Sequence, residues 1–170
     1  MKRFAIAAAA ALLLAGNAQA QSAPAWYGEL GYTFLKIDAG GTSFRPGAIR
    51  GLLGYAFHPM FAVEGMLAGG VSDDTKNTPV PVTLKMNSMY GIFVRPRYVY
   101  QTFEGFARIG WAHTDVDFRN VSDSDSDFAW GLGANWYFDP RMYVGADWMR
   151  YSNQSNHHVD GLTFSFGYRW

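Results

Sequence analysis

A serine and a pair of histidines near the end of the 170-residue chain are the residues best suited to nucleophilic chemistry. Ser152 lies five residues before His157 and six before His158. A serine hydroxyl becomes a nucleophile when a nearby base takes its proton, and histidine often serves as that base. Here the histidines follow in a polar segment, so only folding of a loop would bring them to Ser152. We expect Ser152 to begin a loop, and we predict no catalytic residue and no enzyme activity.

Two polar segments contain side chains that can bind metal ions. His157 and His158 with Asp160 offer ligands for a divalent cation, and the aspartates of 115–127 offer oxygens for calcium. Adjacent histidines on a strand point in opposite directions, however, and the aspartate run lacks the glycine and distal glutamate of the helical calcium loop. Solvated loops are the better interpretation, so the sequence predicts no metal and no cofactor.

Eight segments with alternating apolar residues must position these side chains. Apolar residues at every second position are typical of strands with one apolar face. A tilted strand needs about 9–11 residues to cross a bilayer, and each segment is near or above that length. The predicted strands are 26–37, 48–57, 61–71, 84–100, 103–114, 128–138, 142–151 and 162–170.

The connections between the segments alternate strictly between tight and long. Tight turns are predicted at 58–60, 101–102 and 139–141, and long polar loops at 38–47, 72–83, 115–127 and 152–161. Outer-membrane β-barrels have short periplasmic turns and long external loops. The sequence therefore predicts such a barrel, with both chain ends in the periplasm.

Aromatic residues concentrate near both ends of the predicted strands. Tyrosine and tryptophan favour the membrane–water interface, and transmembrane barrels carry them in two girdles. We predict one girdle beside the tight turns and one beside the long loops. The first comprises Trp26, Tyr27, Phe57, Phe61, Tyr98, Tyr100, Phe103, Trp136, Phe138, Tyr143 and Trp170, and the second Phe34, Trp111, Phe128, Trp130 and Trp148.

The first twenty residues are typical of an export signal. Lys2 and Arg3 are followed by an apolar run over 4–15 and by the small-residue cleavage site Ala18-Gln19-Ala20. The run is shorter than the about 20 residues of a spanning helix, and no later segment is apolar enough to form one. We predict a signal peptide over 1–20 and one β-barrel domain over 21–170.

The composition argues against several other classes of protein. The chain has no cysteine and 17% aromatic residues, unlike a disulfide-stapled secreted domain. Its 14 basic residues equal its 14 acidic residues, and it shows no clustered basic face for nucleic acid. A soluble β-sandwich also alternates, but it explains neither the turn-and-loop alternation nor the aromatic chain end.

In the number of strands and in the aromatic end of the last strand, residues 21–170 resemble the small eight-stranded outer-membrane β-barrels. This group is typified by the transmembrane domain of outer membrane protein A, by outer membrane protein X, and by the attachment-invasion and opacity proteins. The alternating Phe164, Phe166, Tyr168 and Trp170 are similar to the terminal signal read by the barrel-assembly machinery. The resemblance implies an all-β, antiparallel, up-and-down barrel in a Gram-negative outer membrane. We expect it to contact outer-membrane lipid and lipopolysaccharide, and to be a monomer.

One enzyme family among the small barrels, the lipid A deacylases, carries a His-x-Ser-Asn sequence late in the chain. Residues 150–153 are similar to it except that Arg150 replaces the histidine. Arginine stays protonated and cannot act as a general base. A lipid A modifying enzyme is therefore an alternative that would need Ser152 and a loop histidine.

Alternation along the strands assigns the charged residues to the barrel interior. In the first strand Trp26, Leu30 and Phe34 should face lipid, while Glu29 and Thr33 face inward. A charge on the lipid face near the midplane costs about 2–4 kcal/mol, and an eight-stranded lumen is just wide enough to be filled by side chains. We predict a lumen plugged by ion pairs, with a narrow pore as the alternative. The predicted network comprises Glu29, Glu64, Arg95, Arg97, Glu104, Arg108, Asp147 and Arg169.

With no catalytic or metal site predicted, the four polar loops are the candidate functional surface. Loops on rigid scaffolds often carry binding, so they offer a surface to a host protein or another surface ligand. The sequence predicts a non-enzymatic outer-membrane barrel that serves envelope structure or surface interaction, with a host-binding adhesin as a further alternative.

Overall fold

The computed structural model describes residues 25–39, 42–72, 74–76, 82–118, 121–154 and 157–170. The predicted signal peptide lies outside the described residues. Among those described, no helix is long and apolar enough to span a membrane.

Ten strands build the described part of the chain, eight of them long and two short. The long strands arise where the sequence alternates apolar and polar side chains, because such a strand offers one face to each side of a sheet. They are β1 (Ala25–Ala39), β3 (Gly47–His58), β4 (Phe61–Ser72), β6 (Val82–Tyr100), β7 (Phe103–Phe118), β8 (Val121–Tyr137), β9 (Met142–Gln154) and β10 (His157–Arg169). The short strands are β2 (Thr42–Phe44) and β5 (Asp74–Lys76).

The long strands form one closed antiparallel sheet. Each pairs with the long strands before and after it, and β10 returns to β1, with Tyr27 opposite Arg169 and Ala39 opposite His157. The short strands only extend the wall, β2 against β1 and β5 against β6. Closure removes the unpaired strand edges that invite aggregation. The prediction of an eight-stranded, up-and-down antiparallel barrel is confirmed.

The barrel has two unlike ends. The turn end carries the tight connections β3–β4, β6–β7 and β8–β9, and the backbone amide of Trp170 there donates to the carbonyl of Trp26 at 3.1 Å. Gln101 in the β6–β7 turn has a φ of 55°, which suits a two-residue hairpin turn. The opposite end, the loop end, carries the remaining connections.

The strands extend farther at the loop end than the sequence predicts. β7 and β8 stay paired out to Phe118 opposite Val121, and β7 also pairs with β6 as far as Phe118 opposite Leu84. Most of the predicted loop 115–127 is therefore a strand pair, here the β7–β8 ribbon, that continues the sheet. β9 likewise continues to Gln154, so the prediction that Ser152 begins a loop is wrong. Residues 122–127 alternate serine with aspartate and include no apolar residue, which is why this part of β8 does not look like a strand.

The two faces of the wall differ in chemistry. Outward side chains are large and apolar, with Leu30, Leu67 and Ile92 each at least 64% exposed. Such a surface is suited to lipid hydrocarbon. The interior is layered, since the half near the turn end is charged and the half near the loop end is apolar. The apolar layer comprises Leu35, Ala48, Met66, Met89, Phe93, Ala112, Ala129, Met149 and Tyr151.

Candidate functional site in the barrel lumen

A group of eight charged side chains, the lumen charge cluster, fills the half of the bore nearer the turn end. Six of the long strands contribute to it, because alternation turns one residue in two inward. Its members are between 1% and 6% exposed. They are Glu29 of β1, Arg50 of β3, Glu64 of β4, Arg95 and Arg97 of β6, Glu104 and Arg108 of β7, and Asp147 of β9.

Arg95 is the hub of the cluster. Its Nη1 donates to Glu29 Oε1 at 3.0 Å and to Glu64 Oε1 at 2.7 Å, and its Nη2 donates to Glu104. The guanidinium carbon also lies 3.8 Å from the centroid of the Phe106 ring. One cation thus joins carboxylates of three strands, in the low-dielectric setting where charge-assisted hydrogen bonds are strong.

Arg108 forms a second bridge beside the hub. Its Nε donates to Glu64 Oε2 at 2.5 Å and its Nη2 to Glu29 Oε2 at 2.9 Å. Its Nη1 lies 3.0 Å from Asp147 Oδ2. The guanidinium carbon is 4.5 Å from the centroid of Phe106, so this ring lies against two cations.

Arg50 and Asp147 form a bidentate pair. Arg50 Nη1 donates to Oδ1 at 2.8 Å and Nη2 donates to Oδ2 at 2.5 Å, the geometry that favours arginine over lysine. Alternation also turns Arg50 inward, but the predicted network did not include it, because alternation gives the facing direction and not the partner. At the turn end Arg97 contacts Glu104 at 3.3 Å and donates from Nε to the carbonyl of Pro59 at 3.1 Å.

Arg169 is the one predicted member that the structure does not bring into the cluster. Its backbone amide bonds the carbonyl of Arg141 at the turn end, and its side chain is half-buried there. Within the described residues it forms no ion pair with the cluster. The inward direction is as predicted, but the last residues of β10 stand at the rim rather than inside the bore.

Tyrosine hydroxyls complete the coordination of the carboxylates. Tyr27 donates to Glu64 Oε1 at 2.6 Å, Tyr143 to Glu29 Oε1 at 3.0 Å, and Tyr137 to Glu104 Oε2 at 3.2 Å. The prediction that Tyr27 and Tyr143 belong to an interfacial girdle is wrong, since they are 3% and 1% exposed. Alternation predicts the buried position correctly, because Tyr27 is two residues from Glu29 and faces the same side of β1.

Glycines make room for these buried rings. A Cβ at Gly54 would overlap the ring of Tyr27, and a Cβ at Gly167 would overlap the ring of Tyr143. Each glycine lies on a strand next to the one that carries the ring. The wall is thus notched where the tyrosines reach toward the carboxylates.

Ser152, the residue that the lipid A deacylase alternative would need, has a different environment. Ser152 Oγ donates to Asp127 Oδ2 at 2.9 Å. Arg150 donates to both oxygens of Asp160, from Nε at 2.8 Å and from Nη2 at 3.2 Å. Both contacts tie strands together at the loop end. The described residues contain no group of three or more histidines, cysteines and acids that could hold a metal.

The terminal aromatics lie on the outside of the barrel. Phe164, Phe166, Tyr168 and Trp170 are 38–58% exposed and alternate with buried neighbours. They leave one apolar face of the last strand accessible to lipid.

Comparison with known proteins adds the family. The sequence matches the family described as "Outer membrane protein beta-barrel domain" over residues 5–169. The chain belongs to this family. This outer membrane beta-barrel protein is thus assigned to the bacterial outer membrane. Comparison with curated protein sequences gave no match.

Several solved barrels share the fold. The attachment invasion locus protein Ail of Yersinia pestis, solved with the heparin analogue sucrose octasulfate, superposes with a TM-score of 0.68 at 17% identity, covering 88% of this chain and all of that one. OprG of Pseudomonas aeruginosa gives 0.63 at 11% identity, covering 88% of this chain and 97% of that one. Neisserial surface protein A gives 0.54 at 16% identity, covering 89% and 98%. At these identities the likeness concerns the fold alone.

Proposed function

We propose that this outer membrane beta-barrel is a non-enzymatic envelope protein whose lumen is plugged by side chains. The observation that carries the proposal is the lumen charge cluster, in which hydrogen bonds of 2.5–2.9 Å run across the bore from β1 to β7 and from β3 to β9. The cluster has four carboxylates and four guanidinium groups. A balanced set of ion pairs neutralises itself, so it presents no net charge to a passing ion.

The proposed orientation places the turn end and both chain ends in the periplasm. It is supported by the contrast between the tight turns and the long strand ribbons, which follows the asymmetry of outer-membrane barrels. The plug then lies in the periplasmic half of the bore, beneath the apolar layer. The terminal aromatics are the proposed contact with the barrel-assembly machinery, and the folded protein is a monomer.

Conductance in planar lipid bilayers tests the plug. We expect the wild-type barrel to give no stable current steps. A variant with both Arg95→Ala and Glu64→Ala keeps the charge balance but removes the central contacts, and it should conduct. Steady wild-type steps that change when Glu64 alone is neutralised would show a pore instead. Protease applied to intact cells tests the orientation, since it should cut the β7–β8 ribbon.

A second role, surface binding through the loop end, is favoured by the β7–β8 ribbon. β8 pairs with β9 only from Trp130 opposite Arg150 to Tyr137 opposite Tyr143, whereas it pairs with β7 as far as Val121. The ribbon therefore rises beyond its paired neighbour on the β9 side. Besides Asp127, which accepts from Ser152, its sequence carries four aspartates, at 115, 117, 123 and 125. This suits a basic partner better than a sulfated one such as the ligand of the Ail structure.

Binding to whole cells distinguishes these partners. Cells that display the barrel should retain fluorescent polylysine more than fluorescent heparin, and changing the four aspartates to asparagine should abolish the difference. If cells with the asparagine variant still retain polylysine as strongly as wild-type cells do, the ribbon is not the contact surface.

A further inference from the structure

The outward wall contains a groove floored by three glycines, here the glycine groove. Gly28 of β1, Gly51 of β3 and Gly65 of β4 lie on its floor, and the cavity has a volume of about 980 Å³. A Cβ added at Gly65 would meet nothing within 4 Å, and one at Gly51 would meet only the carbonyl of Leu67 at 3.9 Å. Neither glycine is required by crowding, so the groove is open space on the lipid-facing side.

The groove descends diagonally across the wall. Its lining includes one row of paired neighbours, Leu30, Gly51, Leu67, Tyr90, His113 and Ser126, one from each successive long strand. Counted from the turn ends of their strands, Ser126 stands about six residues higher than Leu30. At about 3.3 Å per residue and a tilt of 35–45°, this is about 15 Å of height.

That height matches one leaflet of a membrane. The hydrocarbon core of a bilayer is about 30 Å thick, so one leaflet occupies about 15 Å. A groove that begins at the head-group level of the loop end therefore reaches down to the midplane. An extended acyl chain of that leaflet has the length and the shape to lie in it.

The upper end of the groove is polar, unlike its floor. His113 Nδ1 and Ser126 Oγ lie 2.7 Å apart, and the ring of Tyr90 lies 4.8 Å from the His113 ring. Lower down, the lining residues Leu53 and Ile92 are 49% and 64% exposed and apolar. The groove thus combines a hydrogen-bonding head with an apolar trough, which is the pattern of an amphipathic lipid.

We propose that the glycine groove binds one lipopolysaccharide molecule, with an acyl chain along the three glycines and the head group beside Tyr90, His113 and Ser126. The groove is continuous with the wall that already meets lipid, and burial of each methylene in a fitted trough adds to affinity. The proposal rests on the orientation proposed above, which places the polar head in the outer leaflet. A second copy of the barrel fits less well, because convex walls meet at ridges and leave a trough unfilled.

Matched glycine variants test this site. Gly65→Leu fills the trough, whereas Gly105→Leu is the control, because a Cβ at Gly105 also meets nothing within 4 Å and Gly105 does not line the groove. Each barrel would be refolded in detergent, checked for its heat-dependent gel shift, and titrated separately with deep-rough lipopolysaccharide and with phosphatidylethanolamine in native mass spectrometry. If Gly65→Leu does not fold, Gly51→Leu replaces it.

We expect one lipopolysaccharide per wild-type barrel and per Gly105→Leu barrel. Blocking contact with about two methylenes should weaken binding by Gly65→Leu about tenfold. Equal binding by the two variants would overturn the proposal, as would a wild-type barrel that retains no lipid. Retention of phosphatidylethanolamine in place of lipopolysaccharide would overturn the lipid assignment, and a dimer dispersed by Gly65→Leu would identify a second copy as occupant. The proposed plug and orientation are tested separately from this site, by the conductance and protease measurements described above.

Discussion

Replacing Arg95 by methionine should destabilise the barrel by about 3–5 kcal/mol, the usual cost of removing one partner from a buried ion pair. The structure places the value toward the lower end of that range. Glu29 and Glu64 each keep Arg108, at 2.9 and 2.5 Å, and Glu104 keeps Arg97 at 3.3 Å. No carboxylate is therefore left without a cation, but the cluster gains a net negative charge.

The contact of Arg95 with an aromatic ring is only partly lost in the same variant. The cation lies 3.8 Å from the Phe106 centroid, a contact worth about 2 kcal/mol when desolvated. The methionine sulfur recovers part of this, because sulfur–aromatic contacts contribute about 0.3–1.5 kcal/mol. The loss should consequently report mainly on the ion pairs.

Equilibrium unfolding in guanidinium with lipid vesicles, followed by tryptophan fluorescence and the heat-dependent gel shift, measures this loss. The control is Arg150→Met, whose partly exposed pair with Asp160 should contribute at most about 1 kcal/mol. Adding Glu104→Gln to Arg95→Met restores the charge balance and should recover at least about 0.5 kcal/mol. A loss for Arg95→Met no larger than that of Arg150→Met would refute the view that the cluster holds the barrel together.

Three further predictions concern the wall, the last strand and the loop end. Gly167→Ala should cost about 1–3 kcal/mol of unfolding free energy because its methyl overlaps Tyr143, whereas Gly65→Ala should change it by less than about 0.5 kcal/mol; equal losses would contradict the notched-wall account. Trp170→Ala should lower the fraction of chain that shows the heat-dependent shift in isolated outer membranes, while the purified variant still refolds in detergent. Lipid A from cells that overproduce the wild-type protein or Ser152→Ala should have one unchanged mass spectrum, and loss of an acyl chain in the wild type alone would reveal a deacylase.

Alternation allowed most of the fold to be predicted from the sequence. A period of two leaves only two directions for each side chain, so Glu29, Glu64 and Arg95 could be assigned to the interior once the strands were recognised. Partners could not be predicted in this way. Tyr143 reaches Glu29 across 114 residues of sequence, and such a contact depends on barrel closure and register rather than on local pattern.

The predicted strand ends were wrong at the loop end, because the apolar alternation used to recognise strands stops before the strands themselves do. Residues 122–127 contain no apolar residue, so alternation gives no strand signal there, although the backbone pairing of β7 and β8 continues. The prediction for Tyr27 was wrong because tyrosine occurs both at membrane interfaces and in buried sites where its hydroxyl finds a hydrogen-bond partner. Its hydroxyl partner, Glu64, lies 37 residues away in sequence.

The distribution of the lumen charge cluster over six strands has a consequence for how the protein folds. Arg108 lies 79 residues from Glu29, and Arg50 lies 97 from Asp147. In a curved but open sheet these charges would stand apart, and moving them unpaired into hydrocarbon would be costly. Intermediates with an incompletely paired sheet are consequently disfavoured in the bilayer, and insertion becomes an all-or-none event coupled to closure of the barrel. The same residues that block the bore thereby act as a proofreading step in assembly, because only the correct register neutralises them.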